Sequence, residues 1–179
     1  MLTRQTTGLI VVDIQGKLAR IVHESEVLIS NCSKLIKGAQ VLRLPIVQLE
    51  QNPEKLGPTV DELNTLLDTV PHIAKFSFSA CEEPAFVEAI KSYDVDTWLI
   101  CGIEAHICVY QTARGLAKLG YKVEVVRDCV SSRLTSNKQL GLDKLTRHGI
   151  ELTGLEMCLY ELIKDCRAPE FKPVLDLIR

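Results

Sequence analysis

Short unbroken runs of branched apolar residues recur along the chain, separated by longer stretches whose apolar positions fall three or four apart. Gly8-Leu-Ile-Val-Val-Asp13 is the first such run. Continuous rather than alternating apolarity marks a parallel strand covered on both faces. From Glu24 onward, Val27, Leu28, Leu35, Ile36, Ala39 and Leu42 recur at helical spacing and stop before Pro45, which predicts a helix and then a strand over 46–50. Residues 51–58 hold two prolines and a glycine and read as loop. Thr59 then reads as the N-cap of a helix over 60–67, with Glu62 completing a capping box.

The alternation continues with strands over 72–78, 97–102, 122–126 and 150–153. Between and after them the spacing predicts helices over 82–93, 105–119, 136–148 and 155–166, with Gly120 and Gly149 each just past a helix end. Two prolines within 168–173 break the last helix and leave 174–178 as an apolar tail, expected to dock on the body or on a partner subunit. Six strands interleaved with helices imply an α/β fold, a doubly wound, mostly parallel six-stranded sheet with helices on both faces. A chain of 179 residues, 46% of them hydrophobic, suits one domain spanning 1–179.

Composition narrows the partners. Lysine and arginine total 21 against 23 acidic residues, a formal charge of −2, which argues against a nucleic-acid partner. No apolar run approaches the ~20 residues that cross a bilayer, and the first residues lack signal-peptide architecture, so the expectation is a cytoplasmic protein with no membrane partner. None of the seven cysteines forms a C-x-x-C pair, and the four histidines are scattered. Seven reduced thiols and no metal or other cofactor are therefore expected.

In a doubly wound sheet, ligands bind beyond the carboxyl ends of the strands. Asp13 ends the first strand, Lys75 lies within or at the end of the third, and Cys108 falls in the opening turn of the helix after the fourth. Singly, each has a plain structural alternative: Asp13 an Asx turn, Lys75 a solvated strand residue, Cys108 a core thiol. Together they offer a nucleophile favoured by a helix N-terminus and a nearby lysine, a carboxylate base, and a cation that orients the base. Cys101 is left in the core, Trp98 reads as core, and His106 reads as a surface or interface residue.

These segments resemble the isochorismatase-like cysteine hydrolases, a family that includes nicotinamidases and related amidohydrolases. Val11-Val-Asp-Ile-Gln15 is similar to the family's first-strand motif with its catalytic aspartate, and Ala-Lys-Phe-Ser around Lys75 to its lysine segment. Gly102-Ile-Glu-Ala-His-Ile-Cys-Val109 is similar to its nucleophile segment. The resemblance implies Asp13, Lys75 and Cys108 as catalytic residues. It also implies a cis peptide between Ile103 and Glu104 and an oxyanion hole from the backbone amides of Glu104 and Cys108. Metal-binding nicotinamidases carry an aspartate and histidines after the second strand, whereas residues 48–57 here hold no histidine. That region is closer to the compact isochorismatase domain-containing branch, and a cysteine nucleophile points away from vinyl-ether cleavage. The implied function is hydrolysis of a small amide through a thioacyl intermediate, by a homo-oligomer, a dimer or a higher even-numbered assembly. The alternatives are a phosphate-responsive binding module, which would need acids clustered beside Asp13, and a catalytically silent scaffold.

Overall fold

The computed structural model describes all 179 residues. Six strands form one sheet in the order β3-β2-β1-β4-β5-β6, and all five pairings are parallel. The strands are β1 (Thr7–Val12), β2 (Ile46–Gln51), β3 (His72–Lys75), β4 (Thr97–Ile103), β5 (Lys122–Ser131) and β6 (Glu151–Thr153). Parallel neighbours need crossovers, and the helices that make them cover both faces. Along β1, Leu9 and Val11 enter one core with α2 (Ser25–Val41), α8 (Leu155–Ile163) and α9 (Phe171–Ile178). Ile10 and Val12 enter the other, with α5 (Pro84–Lys91), α6 (Tyr110–Lys118) and α7 (Thr135–Arg147). This two-sided burial is why the strands read as continuous apolar runs. Trp98 is fully buried in the second core, edge-on to Tyr93 and Tyr121, as the sequence predicts. No helix is long and apolar enough to cross a membrane.

The differences from expectation are local and have identifiable causes. Thr59 caps nothing: its N–H and hydroxyl donate to Glu50 Oε1 at 2.6 and 2.7 Å, and the helix that follows, α4, shrinks to Asp61–Asn64. The loop after β2 contains one turn, α3 (Pro53–Leu56), and another short helix, α1 (Gly16–Ile21), follows β1. The third strand stops at Lys75, because the following segment turns back to Glu83, whose Oε1 accepts from the N–H groups of Phe76 and Ser77. The stretch 105–119 opens as one wide π turn, Ala105–Val109, before becoming regular in α6. The tail 171–178 is helix α9, docked on α2 of its own chain with Val174 fully buried, so its apolar surface is spent within the subunit.

The largest difference lies in β5, which runs five residues past its expected end. Its register against β4 jumps between Ile100↔Val125 and Gly102↔Val130, so residues 126–129 bulge out. Within the bulge, Asp128 accepts from the Leu155 N–H at 2.8 Å and fixes the start of α8, while Val130 and Ser131 rejoin β4 at its carboxyl end.

Gly102 makes that end possible. Its φ of +127° is open to glycine and strained for other residues, and a Cβ there would sit 2.0 Å from the carbonyl oxygen of Val12. A Gly102→Ala protein should lose at least about 2 kcal/mol, a fall in melting temperature of roughly 5–10 °C. An unchanged melt by circular dichroism would mean that this contact does not constrain the strand ends.

Candidate active site

Strand order reverses between β1 and β4, since the chain builds outward from β1 to β3 and then returns to the other side of β1. A crevice opens where neighbouring crossovers diverge, beyond the carboxyl ends of these two strands. Asp13 leaves β1 there with φ +51°, a left-handed conformation that aspartate tolerates better than most residues. Its carboxylate is 2% exposed and faces Lys75, which is completely buried and reaches across β2 from the end of β3. Lys75 Nζ lies 2.8 Å from Asp13 Oδ2. It also donates to Gln51 Oε1 at 2.6 Å and approaches the carbonyls of Ser77 and Phe78 at 3.2 and 3.4 Å. The ammonium hydrogen bonds go to Gln51 and the two carbonyls, and Asp13 meets the lysine as an ion pair.

Gln51 and Gln15 hold this arrangement from below, and the sequence pattern singled out neither. Gln51 Nε2 donates to the Phe76 carbonyl at 2.7 Å, which fixes its Oε1 toward the lysine. Gln15, fully buried, accepts from the Gln51 N–H at 2.6 Å and donates to the Gly57 carbonyl at 2.7 Å, tying the loop after β2 to the end of β1. Glu50 divides its oxygens between Thr59 and His72 Nε2 at 2.8 Å. No group of three acidic, histidine or cysteine side chains is placed to hold a metal ion.

Cys108 stands in the π turn after β4 and is 7% exposed. It shares with Asp13 a cavity of about 100 Å³ whose remaining polar lining is Gln51 and Glu104 and whose apolar walls are Leu18, Leu56, Phe78, Ile103 and Ile107. Larger hollows of about 670 and 390 Å³ lie elsewhere, the first against α2 and the second at the amino ends of β4 and β5. Neither touches these residues. The peptide between Ile103 and Glu104 is cis. The Glu104 N–H donates to no backbone acceptor, while its side chain receives the Arg133 N–H at 3.1 Å and guanidinium Nε at 2.8 Å. Arg133 reaches it because the bulge in β5 carries the chain back over β4. His106 does not line the cavity; its Nδ1 lies 3.0 Å from Ser132 Oγ.

The charges in this small volume set one another. Burial raises Asp13 above the ordinary carboxylate range, although the charge and hydrogen bond of Lys75 pull it back toward ionisation. Burial likewise pushes the Cys108 thiol up to about 12, and the Asp13 charge adds to the rise. The sequence suggested a thiol depressed by the helix terminus and the lysine. Desolvation and the neighbouring carboxylate outweigh both, so the resting side chain is a neutral thiol beside a buried carboxylate.

Residues 7–157 match the Isochorismatase domain model. An isochorismatase domain-containing protein 2 from Danio rerio is 32% identical over 177 residues, covering 99% of this chain and 89% of its own. A solved structure named MAR1 ribonuclease, from Caenorhabditis elegans, is 33% identical, with a TM-score of 0.93 over 99% of this chain and 91% of that one. The fold is shared with the YcaC gene product of Escherichia coli, described as an octameric hydrolase of unknown specificity, at 23% identity, TM-score 0.93, and coverage of 98% and 89%. The all-parallel topology, the strand-end residues and these matches lead to one assignment: the chain belongs to the isochorismatase family.

Proposed function

We propose that the protein is a cysteine-dependent hydrolase of small amides, with Cys108 as nucleophile, Asp13 as general base and Lys75 as the cation that orients Asp13. The observation that carries this reading is the fully buried Lys75–Asp13 pair, 2.8 Å apart, at the wall of the cavity that also holds the Cys108 thiol. Burying two charges is costly, and a buried pair alone is weak evidence for a gain in stability. A pair that instead keeps a carboxylate ionised against a neutral thiol has a chemical use.

The thiol proton passes to Asp13 as sulfur adds to the amide carbon, so free thiolate need not build up. Developing negative charge on the carbonyl oxygen falls to the Glu104 and Cys108 amides, the first of which has no backbone partner. The protonated Asp13 returns its proton to the departing nitrogen, leaving a thioester and free amine. Water then adds to the thioester with Asp13 again taking a proton, and the carbon–sulfur bond breaks to release the acid and restore the thiol. Each proton taken by Asp13 is returned within the cycle.

The C. elegans relative is named a ribonuclease. A net charge of −2 and a cavity with two carboxylates and no cation in its lining give a polyanion little to bind, and the amide reading uses the site better. Seven free cysteines suit a cytoplasmic setting. Assembly into a homo-oligomer is supported by the octameric E. coli neighbour and by Phe76, Phe78 and Leu134, large apolar side chains left exposed around the strand ends. Light scattering at micromolar concentration should give an even-numbered assembly, and a monomer would end that part of the proposal.

Ammonia release from a panel of primary amides should be abolished by Cys108→Ala; equal turnover by the two proteins would remove the nucleophile. Asp13 must be ionised to act, so turnover should fall on the acid side as Asp13 gains a proton. Because Lys75 pulls Asp13 toward ionisation, Lys75→Met should move that acid limb to higher pH and lower turnover roughly tenfold or more. An acid limb unmoved by this substitution would separate the lysine from the base.

A further inference from the structure

The polar groups around the cavity are nearly all spent on one another. Lys75 is fully buried and engaged by Asp13, Gln51 and two carbonyls. Gln51 uses its amide oxygen on Lys75 and its amide nitrogen on the Phe76 carbonyl. The Arg133 guanidinium, half exposed, turns toward Glu104 and is not part of the lining. What remains to meet a ligand is the Asp13 carboxylate beside the Cys108 thiol, the free Glu104 N–H, and Glu104 Oε2, whose contact with Arg133 Nη2 is long at 3.5 Å. The rest of the wall is aliphatic or aromatic.

Two carboxylates therefore border about 100 Å³ of mostly apolar space with no uncommitted cation. Glu104 is 5% exposed. Burial acts to raise its pKa, but the hydrogen bonds and charge of Arg133 prevail and hold it below the ordinary range, so it is anionic at neutral pH. Lys75 and Arg133 offset part of these charges, but neither lines the cavity, so an incoming anion meets the carboxylates with no cation there to pair it. The reaction itself uses up the free donor and the free base, which leaves no polar partner for the acyl substituent.

Resting on the amide-hydrolase reading above, we propose that the site takes small neutral amides with an apolar acyl group and rejects ligands bearing a carboxylate, the Glu104 side chain being the specificity-determining group. A dry cavity of ~150 Å³ holds benzene, so this one suits acyl groups of about three or four carbons, such as that of isobutyramide. The same charges assist turnover. Hydrolysis converts a neutral amide into an acid that is anionic at neutral pH, and the product then faces two carboxylates with nothing to pair it.

Charge selection can be read without turnover. Iodoacetamide and iodoacetate alkylate a thiol by the same displacement, in which sulfur bonds to the methylene carbon, iodide leaves and the thiol proton is lost to solvent. They differ only in an amide against a carboxylate. Cys166 is exposed and supplies the reference within the same protein. Peptide mapping should show the iodoacetamide-to-iodoacetate rate ratio at Cys108 exceeding that at Cys166 by roughly tenfold or more. Glu104→Gln should bring the ratio at Cys108 down toward the Cys166 value, whereas Arg133→Gln should keep or raise it. Ammonia release should likewise favour isobutyramide over succinamate. Equal ratios at the two cysteines in the wild-type protein overturn the selection while leaving any measured amide turnover intact. A high ratio at Cys108 with no ammonia released from isobutyramide overturns the substrate assignment through the hydrolase reading instead.

Discussion

A single buried ion pair organises the carboxyl end of this sheet. Lys75 and Asp13 come from strands that are not neighbours, and their 2.8 Å contact passes over the end of β2. Removing either partner alone would leave an uncompensated charge in a dry interior, at a cost of about 3–5 kcal/mol or a change of protonation. Much of the surrounding polar structure serves to keep both charges in place: Gln51 is aimed at the lysine by the Phe76 carbonyl, and Gln15 ties Gln51 to the loop that closes over it. Carbonyls of the segment after β3 take up the remaining ammonium protons. An arrangement so committed leaves the lysine unable to serve a ligand, and Asp13 is the member of the pair that lines the cavity.

Opposite this pair, the segment after β4 is shaped by close backbone approach. Gly102 lets β4 end against Val12, and the wide turn from Ala105 to Val109 follows at once. α7 presses on that turn at Gly141, where a Cβ would lie 2.8 Å from the His106 Cα. The bulge in β5 brings Arg133 back onto Glu104. Cys108 is thus held between a strand end, a helix and a returning strand, which explains a thiol that is 7% exposed yet still opens on a cavity. The cost of that burial is visible in its raised thiol pKa.

Much of this was legible in the residues. Continuous apolar runs located β1 and β4, the alternation of strand and helix located the other four strands, and the rule that ligands gather at strand carboxyl ends picked out Asp13, Lys75 and Cys108, of which Asp13 and Cys108 line one cavity and Lys75 stands against Asp13. Other parts were hidden for physical reasons. The last five residues of β5 include Arg127 and Asp128, which interrupt the apolar pattern because they sit in the bulge, so the approach of Arg133 to Glu104 had no local signal. Gln51 and Gln15 act through hydrogen bonds to carbonyls distant in sequence, which no spacing rule reveals. Thr59 and Glu62 have the form of a capping box, but a buried Glu50 competes for the threonine and wins. The resting protonation of Cys108 stays open in the sequence, because helix position and neighbouring charges of both signs are readable there, whereas desolvation is not.

On the proposed reading, an ionised Asp13, held by Lys75, stands beside a neutral Cys108 thiol and raises its pKa. Ultraviolet titration of the thiolate band tests it most directly, with Cys108→Ser subtracted to isolate this one cysteine among seven. No Cys108 thiolate is expected at neutral pH, with ionisation near the value of about 12 in the wild-type protein and a clear downward shift in Asp13→Asn, where the repelling charge is gone and Lys75 remains. A Cys108 thiolate already present at neutral pH, or a titration that Asp13→Asn leaves in place, would contradict it.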